Sequence, residues 1–410
     1  MQCKRYSKYY PYYGDSSGAK MKIAVINSGS SSIKFKLFLM PQGKVLAHAL
    51  VEKIGETNST ITFKYDTNKH VIPSVIKTHH EGLKEINALL KKHEIVEHFC
   101  VLDAIAHRVV HGGEYFKDVT IIDEEVIEKI KELIPLAPLH NGANLEGILV
   151  SRKKAPDVVQ IAVFDTAFHE TMPKEAYLYA LPYEMYKQHK IRRYGFHGTS
   201  HSYIMKETAK NMGTDAKKLN MITLHLGNGS SACAVKNGLS IDTSMGFTPL
   251  EGLVMGSRCG DIDPAIPLYM QRELGMSVDE VDALLNKHSG LLGICKDKDL
   301  REIEKREDEL SKVAIEMMVR RVKKYIGAYA AILGRVDALV FTAGIGENSY
   351  TIREKILQNL EIFGIELDKK ANRQNAALIS KESSKVKIFV IKTDEEFEIA
   401  KQSEEFLKNQ

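Results

Sequence analysis

Strand-like apolar runs alternate with longer helical periods along this chain, which predicts a layered α/β protein. The same strand–turn–strand signature occurs twice, about 200 residues apart, as Ile26-Asn27-Ser28-Gly29-Ser30-Ser31 and Leu226-Gly227-Asn228-Gly229-Ser230-Ser231, so the domains are expected to be duplicates. Size agrees: 410 residues, 44% hydrophobic and 27% charged, suffice for two or three domains with cores of their own.

The elements follow in order from Met21. Residues 22–26, 33–40 and 44–51 read as a β-meander, and Asp123 is placed as N-cap of a helix over 123–133. A second helix is expected near 143–152, then a short buried strand over 158–164 that ends at Asp165. The second half repeats the scheme with strands at 221–226, 232–236 and 239–241 and helices at 263–274, 278–286 and 299–309. Residues 311–333 have the apolar period of a long buried helix stopped by Gly334. A buried strand at 336–341, a helix at 349–363, a strand at 386–391 and a terminal helix at 395–407 complete the chain.

Charge excludes a general polyanion binder. The chain holds 57 Lys and Arg against 53 Asp and Glu, a net charge of +4. Lys4, Arg5, Lys8 and Lys20 against Asp15 carry most of it, leaving 53 cations and 52 acids afterwards. The same stretch holds Tyr6, Tyr9, Tyr10, Tyr12 and Tyr13, which would suit stacking on single-stranded nucleic acid, but it reads better as a leader or tail and has no apolar signal-peptide region. Nucleic acid is therefore not an expected partner. No run approaches the roughly 20 apolar residues that span a bilayer, so no membrane partner is expected either. The five cysteines form no Cys-x-x-Cys pair, which fits a reducing cytoplasm.

The two echoed turns can present backbone N–H groups and Ser hydroxyls to an anion, since Gly and Asn tolerate the required backbone angles. A pair of them, one per half, points to a polyphosphate. A third glycine turn, Thr342-Ala343-Gly344-Ile345-Gly346-Glu347-Asn348, lies between an apolar strand and a helix, where the helix end favours negative charge. No Walker A motif occurs, and a strand follows Gly227-Asn228-Gly229-Ser230-Ser231-Ala232 where a Rossmann unit needs a helix.

Arg108, at a strand end before His111-Gly112-Gly113, and Arg258, in the loop Gly256-Ser257-Arg258-Cys259-Gly260-Asp261, each offer a planar fork to carboxylate or phosphate, or to an interdomain ion pair. His197 sits among small residues in Gly195-Phe196-His197-Gly198-Thr199-Ser200-His201 and is free to approach a ligand. The spacings of His197 and His201 and of His107 and His111 lack the Glu of a zinc helix, and glycines argue against a helix at His197. Asp165 and Glu395 suit Mg²⁺ held partly through water; a strand-end turn and helix-terminal charge are their plain alternatives. Cys259 is taken as structural.

These motifs, together with Asn27 to Lys34, Pro135-Leu136-Ala137-Pro138-Leu139-His140-Asn141, Val163 to His169 and Asp242 to Gly252, closely resemble the acetate kinase family, from Met21 to the terminal helix. The resemblance implies the actin-like, ribonuclease H-like fold, duplicated in two domains with the active site in the cleft between them. The expected domains are 21–169 with about 398–410, and 170–397, with 1–20 as an extension. It implies Mg²⁺, for which Mn²⁺ can substitute, at Asn27 and Glu395. Ser30, Ser32 and Lys34 match the first phosphate segment, and His225, Leu226, Gly227, Asn228 and Gly229 the second. Asp299, Leu300, Arg301, Gly344, Ile345, Gly346, Glu347 and Asn348 match the adenosine elements. Arg108 and Arg258 would hold the acyl substrate, Val110, Leu139, Phe196 and Pro249 would line its methyl pocket, and Asp165, His197 and Arg258 would be catalytic. A cytoplasmic homodimer follows from the resemblance alone. Gly142 stands where the family has Pro and Asp394 where it has Asn, which adds a negative charge beside Glu395.

The implied reaction moves the γ-phosphoryl group of ATP to acetate, giving acetyl phosphate and ADP. A carboxylic acid has a pKa of roughly 4 to 5, so the nucleophile is ionised at neutral pH and needs no general base. What remains is positioning and charge stabilisation of an in-line transfer. Propionate or butyrate as acceptor is the near alternative; a non-enzymatic actin-like ATP-binding module is the distant one.

Overall fold

The computed structural model describes residues 20–138 and 140–410. The expected extension, Lys20 apart, and the pocket residue Leu139 lie outside the described residues. Two units are formed, one running to Ala167 and resuming at Asp394–Gln410, the other Phe168–Thr393.

The first unit is built on β1 (Met21–Gly29), β2 (Ser32–Met40), β3 (Lys44–Glu52), β4 (Ser59–Tyr65), β5 (Asn68–Ser74), β6 (Ala104–Val109), β7 (Thr120–Ile121) and β8 (Val159–Phe164), in the order β5-β4-β3-β2-β1-β6-β8-β7. The central strand β1 pairs antiparallel with β2 and parallel with β6. It is apolar on both faces because both are covered. Ala24 and Ile26 pack with Phe35, Leu37, Leu83 and Ile86, while Ile23 and Val25 pack with Ile399 and Ala400 of the terminal helix Glu395–Lys408. Pairing of Gly29 with Ser32 leaves a turn of Ser30 and Ser31, so Asn27 and Ser28 belong to the strand.

The second unit is built on β9 (Asn220–Leu226), β10 (Ser230–Lys236), β11 (Leu239–Thr243), β12 (Ala338–Thr342) and β13 (Lys387–Val390), in the order β11-β10-β9-β12-β13. Antiparallel β9 and β10 beside parallel β9, β12 and β13 reproduce β3-β2-β1-β6-β8 strand for strand. The echoed motifs are therefore the same turn of a repeated sheet. The long helix Glu309–Leu333 buries Ala314, Met318, Val322 and Ile326, at helical spacing, in one core with Ile222, Leu224, Ala232 and Ala234, and Gly334 at φ 71° ends it.

Three expectations fail locally. The helix expected over 299–309 is one turn, Leu300–Ile303, because Asp308 turns to cap the next helix through the Ser311 N–H and hydroxyl. The helix expected over 349–363 stops at Leu357, and Asn359 adopts a left-handed φ of 60° before the single turn Glu361–Phe363. A helix does occupy Gly198–Asn211, beginning directly after His197, whose φ of 56° is also left-handed.

Candidate active site

The expected residues divide between the two units. In the first, parallel strands β6 and β8 end side by side and bring Arg108 and Asp165 together. Arg108 Nε donates to both carboxylate oxygens of Asp165, at 2.9 and 3.1 Å, and Nη2 adds a bond of 2.6 Å. Glu395 Oε2 lies 3.6 Å from Nη1. Burial alone would lower the guanidinium pKa, but Asp165 and then Glu395 reverse the direction and raise it. Burial raises the pKa of Asp165 and Arg108 opposes that rise; the two-pronged bond is the geometry of a carboxylate. The loop after β6 is fixed by two side chains from helix Asn141–Lys154: Asn144 Oδ1 accepts from Val110 N at 3.1 Å, and Asn141 exchanges bonds of 3.0 Å with the His111 backbone.

At the first echoed turn, Ser30 and Lys34 are exposed and Asn27 and Ser32 half-buried. Asn144 also reaches this turn, donating to Ser28 O at 2.7 Å. Asp394 faces Lys36 at 2.9 Å and caps the terminal helix at Phe397 N, so its added negative charge is matched there. Glu395 Oε1 is buried and makes no hydrogen bond, which suits a group awaiting a cation. Among the described residues no group of three His, Cys, Asp or Glu could cage a metal, and Mg²⁺ needs none when substrate phosphates and water supply the other oxygens. Glu395 therefore has an oxygen to offer such an ion.

In the second unit the glycine turn Gly227-Asn228-Gly229 is the meeting point. A Cβ on Gly229 would lie 3.5 Å from His197 Nε2 and 3.7 Å from Arg258 Nη1, so both side chains converge on the turn. His197 is held by a stack on His225, ring centres 4.1 Å apart, and by Ser231 Oγ at 2.9 Å from Nδ1. The same hydroxyl meets His201 Nε2 at 2.8 Å, and His201 Nδ1 meets Thr223 Oγ1 at 2.7 Å. Burial drives the pKa of His201 well down, so it serves as a neutral spacer. These side chains account for the His197 and His201 spacing without zinc. His225 is set by Ser200 Oγ at 2.8 Å, which in turn meets Thr393.

Arg258 has the opposite environment to Arg108. No carboxylate among the described residues pairs with it, its one hydrogen bond is a long 3.4 Å to Pro249 O, and burial lowers its pKa. A guanidinium partly withdrawn from water without a counter-ion is a ready partner for an anion. Gly256 N donates to Asn228 O at 3.0 Å, tying the Arg258 loop to the Gly227-Asn228-Gly229 turn. Of the expected pocket residues, Val110 belongs to the first unit, and Phe196 and Pro249 to the second. Phe196 is buried, and its carbonyl meets His169 Nε2 at 3.0 Å.

Eight of the expected nucleotide residues line one cavity of about 710 Å³: Gly227, Asn228, Asp299, Leu300, Arg301, Gly344, Ile345 and Asn348. Leu226 and Gly346 lie behind it in the packing, and the Glu347 carboxylate turns back to Ala343 N and Thr393 N at 2.9 and 3.1 Å. Asp299 caps its helix turn and is forked by Arg301, whose hydrogen bond holds its carboxyl down at about 2. The cavity thus offers glycine backbone and an exposed Arg, at a size suited to a nucleoside. Sequence reasoning missed Ser231, Ser200, Asn141 and Asn144. Ser231, the last residue of an echoed motif, was the one carrying a signal.

A family model described as the acetokinase family matches residues 22–401. Acetate kinase of Sulfurimonas denitrificans (strain ATCC 33889 / DSM 1251) is 69% identical over 388 residues, covering 95% of this chain and 100% of that protein. Acetate kinase of Sulfurovum sp. (strain NBC37-1) is 52% identical, covering 94% and 98%. The crystal structure of Porphyromonas gingivalis acetate kinase matches with a TM-score of 0.89 and 45% identity, covering 94% of this chain and 100% of that one. A propionate kinase from Francisella tularensis subsp. tularensis SCHU S4 gives 0.89 at 44% identity, covering 93% and 98%. Their fold is the actin-like one that the sequence resemblance implied.

Proposed function

The chain belongs to the acetokinase family, and from that premise we propose that it transfers the γ-phosphoryl group of ATP reversibly to acetate, giving acetyl phosphate and ADP. The activity is that of a phosphotransferase with a carboxyl group as acceptor. The observation that carries this reading is Arg258, half-buried with no carboxylate partner among the described residues and converging with His197 on the Gly229 turn. Together they would give the equatorial oxygens of a transferring phosphoryl group a guanidinium and an imidazole.

Asp165 takes the Nε–Nη2 edge of Arg108 and Glu395 lies 3.6 Å from Nη1, so the guanidinium is held in place to take the acetate carboxylate, and Val110, Leu139, Phe196 and Pro249 would receive the methyl group, as the family resemblance implies. Acetate arrives ionised, and no residue has to remove a proton. Glycine and serine backbone at both echoed turns, with Lys34, binds the phosphates, and the 710 Å³ cavity takes the adenosine. Mg²⁺ held by Asn27 and Glu395 would neutralise the β- and γ-phosphate oxygens.

We place the reaction in the cytoplasm, where ATP is supplied; among the described residues no helix is long and apolar enough to cross a membrane. The working form is a homodimer. Helix Ala265–Glu273 has no buried residue, and Leu268, Tyr269, Leu274 and Val278 stand 47%, 59%, 60% and 70% exposed in one short stretch, an apolar face that a second copy would cover. Trapping the product with hydroxylamine tests the activity: acetate, ATP and Mg²⁺ together should give acetyl hydroxamate, and ATP turnover without it would remove the proposal. Likeness to a propionate kinase makes the acyl series informative, because one methylene is worth only about 1–3 kcal/mol. The kcat/KM for acetate should exceed those for propionate and butyrate.

A further inference from the structure

We propose that Arg321 and Tyr325 are positioning residues that set Arg258 for phosphoryl transfer by closing the neck of the loop that carries it; this rests on the role given to Arg258 above. The loop leaves at Gly252 and returns at Asp261. Its two ends are joined by Asp261 N to Gly252 O at 3.0 Å and by Gly252 N to Asp261 Oδ1 at 2.8 Å. The long helix then clamps the join. Arg321 Nη1 donates to Gly252 O at 2.8 Å and Nη2 to Asp261 O at 3.0 Å, so a single guanidinium spans both ends. One helical turn on, Tyr325 donates to Asp261 Oδ2 at 2.9 Å.

The neck is tight, and its geometry is unusual. Gly252 and Gly260 have φ of 108° and 67°, and a Cβ at either would come within 2.5 Å of backbone oxygen, at Ser244 for the first and at Leu253 and Gly252 for the second. Backbone of this kind is held by its surroundings and does not hold itself. The helix supplies a rigid base, because Met318, Val322 and Ile326, interleaved with Arg321 and Tyr325, are buried in the core of the unit. Among the described residues Arg258 has only its long bond to Pro249 O to orient its own side chain, so its place depends on the backbone that carries it. Neither Arg321 nor Tyr325 lines the nucleotide cavity or bonds to His197. Their effect on the reaction must pass through the loop.

A double-mutant cycle separates positioning from general stability. Arg321→Ala, Arg321→Lys and Tyr325→Phe are made in the wild type and in Arg258→Ala, and kcat and both KM values are measured by hydroxamate trapping. Arg321→Ala is expected to lower kcat by roughly 10- to 100-fold, the scale of an ångström-level misplacement, with the KM for ATP moving less than about threefold. Arg321→Lys, with one donor group in place of a fork, should restore part of the rate. Tyr325→Phe should cost about 3- to 10-fold and supplies the cycle if Arg321→Ala does not fold. In Arg258→Ala the same changes should cost less than about twofold, since the group they place is gone. Equal losses in both backgrounds would overturn the proposal. A loss below about tenfold for Arg258→Ala alone would instead remove the role of Arg258, and this proposal with it.

Discussion

Replacing Gly290 by alanine puts a methyl group 2.1 Å from Met255 O and 2.7 Å from Arg258 O, both of them backbone. Carbon at Cβ does not approach other atoms within 3.0 Å, so about an ångström of room must be made in the loop carrying Arg258. Gly290 also has a left-handed φ of 61°, which adds roughly 1–2 kcal/mol for an L side chain. The two costs can be told apart, because Gly275 has a similar φ of 67° with nothing within 4 Å of its added carbon. Gly275→Ala should lower stability by about 1–2 kcal/mol in urea unfolding and leave kcat alone. Gly290→Ala should lower stability at least as much and also reduce kcat by about 10²-fold, the usual effect of a 1 Å error in a reacting group. The assay is hydroxamate formation at saturating ATP and acetate. A folded Gly290→Ala protein with kcat within threefold of wild type would refute the claim that the placement of Arg258 governs the rate.

Ser231→Ala removes the hydroxyl shared by His197 and His201, and kcat should fall about 10- to 100-fold with little change in the KM for acetate; an unchanged kcat would release His197 from the transfer step. His107 and His169 are buried, and burial holds each pKa at about 4 against 6.5 unfolded. Below pH 6.5 the unfolded chain binds protons that the folded chain refuses, so their contribution is complete above 6.5 and is lost as pH falls toward 4, by roughly 3 kcal/mol each at full extent. Urea unfolding across this window should show that slope, and His107→Asn should flatten it; a level wild-type profile would contradict it. Leu268→Asp with Tyr269→Asp should shift the sedimentation of the protein from dimer to monomer, and a dimer that survives both would move the interface elsewhere.

The architecture was legible because the decisive signals are local. A glycine–serine turn between two apolar runs can be read from six residues, and reading it twice exposed the repeated sheet before any pairing was known. The sequence also showed that Arg108, Arg258, His197 and Asp165 have chemistry to offer. It could not show that Arg108 is already paired while no carboxylate among the described residues pairs with Arg258, since Asp165 lies 57 residues from its partner and the contrast is one of counter-ion, both side chains being half-buried. The Ser231 hydroxyl joins histidines 34 and 30 positions away, which no spacing rule reaches. Residues 299–309 misled for a simpler reason: a run rich in Glu, Lys and Arg has helix propensity, but the local N-cap by Asp308 decided where the next helix began.

The central claim is that a partly desolvated guanidinium, with no carboxylate partner among the described residues, stabilises the phosphoryl group in flight. Arg258→Ala, assayed by hydroxamate formation alongside calorimetric ATP binding, tests it most directly. The expected result is a fall in kcat of at least about 10³-fold, the scale of an arginine acting on the transition state, with ATP affinity kept within about threefold. A fall in kcat of less than about tenfold, with the protein folded and ATP bound, would contradict it.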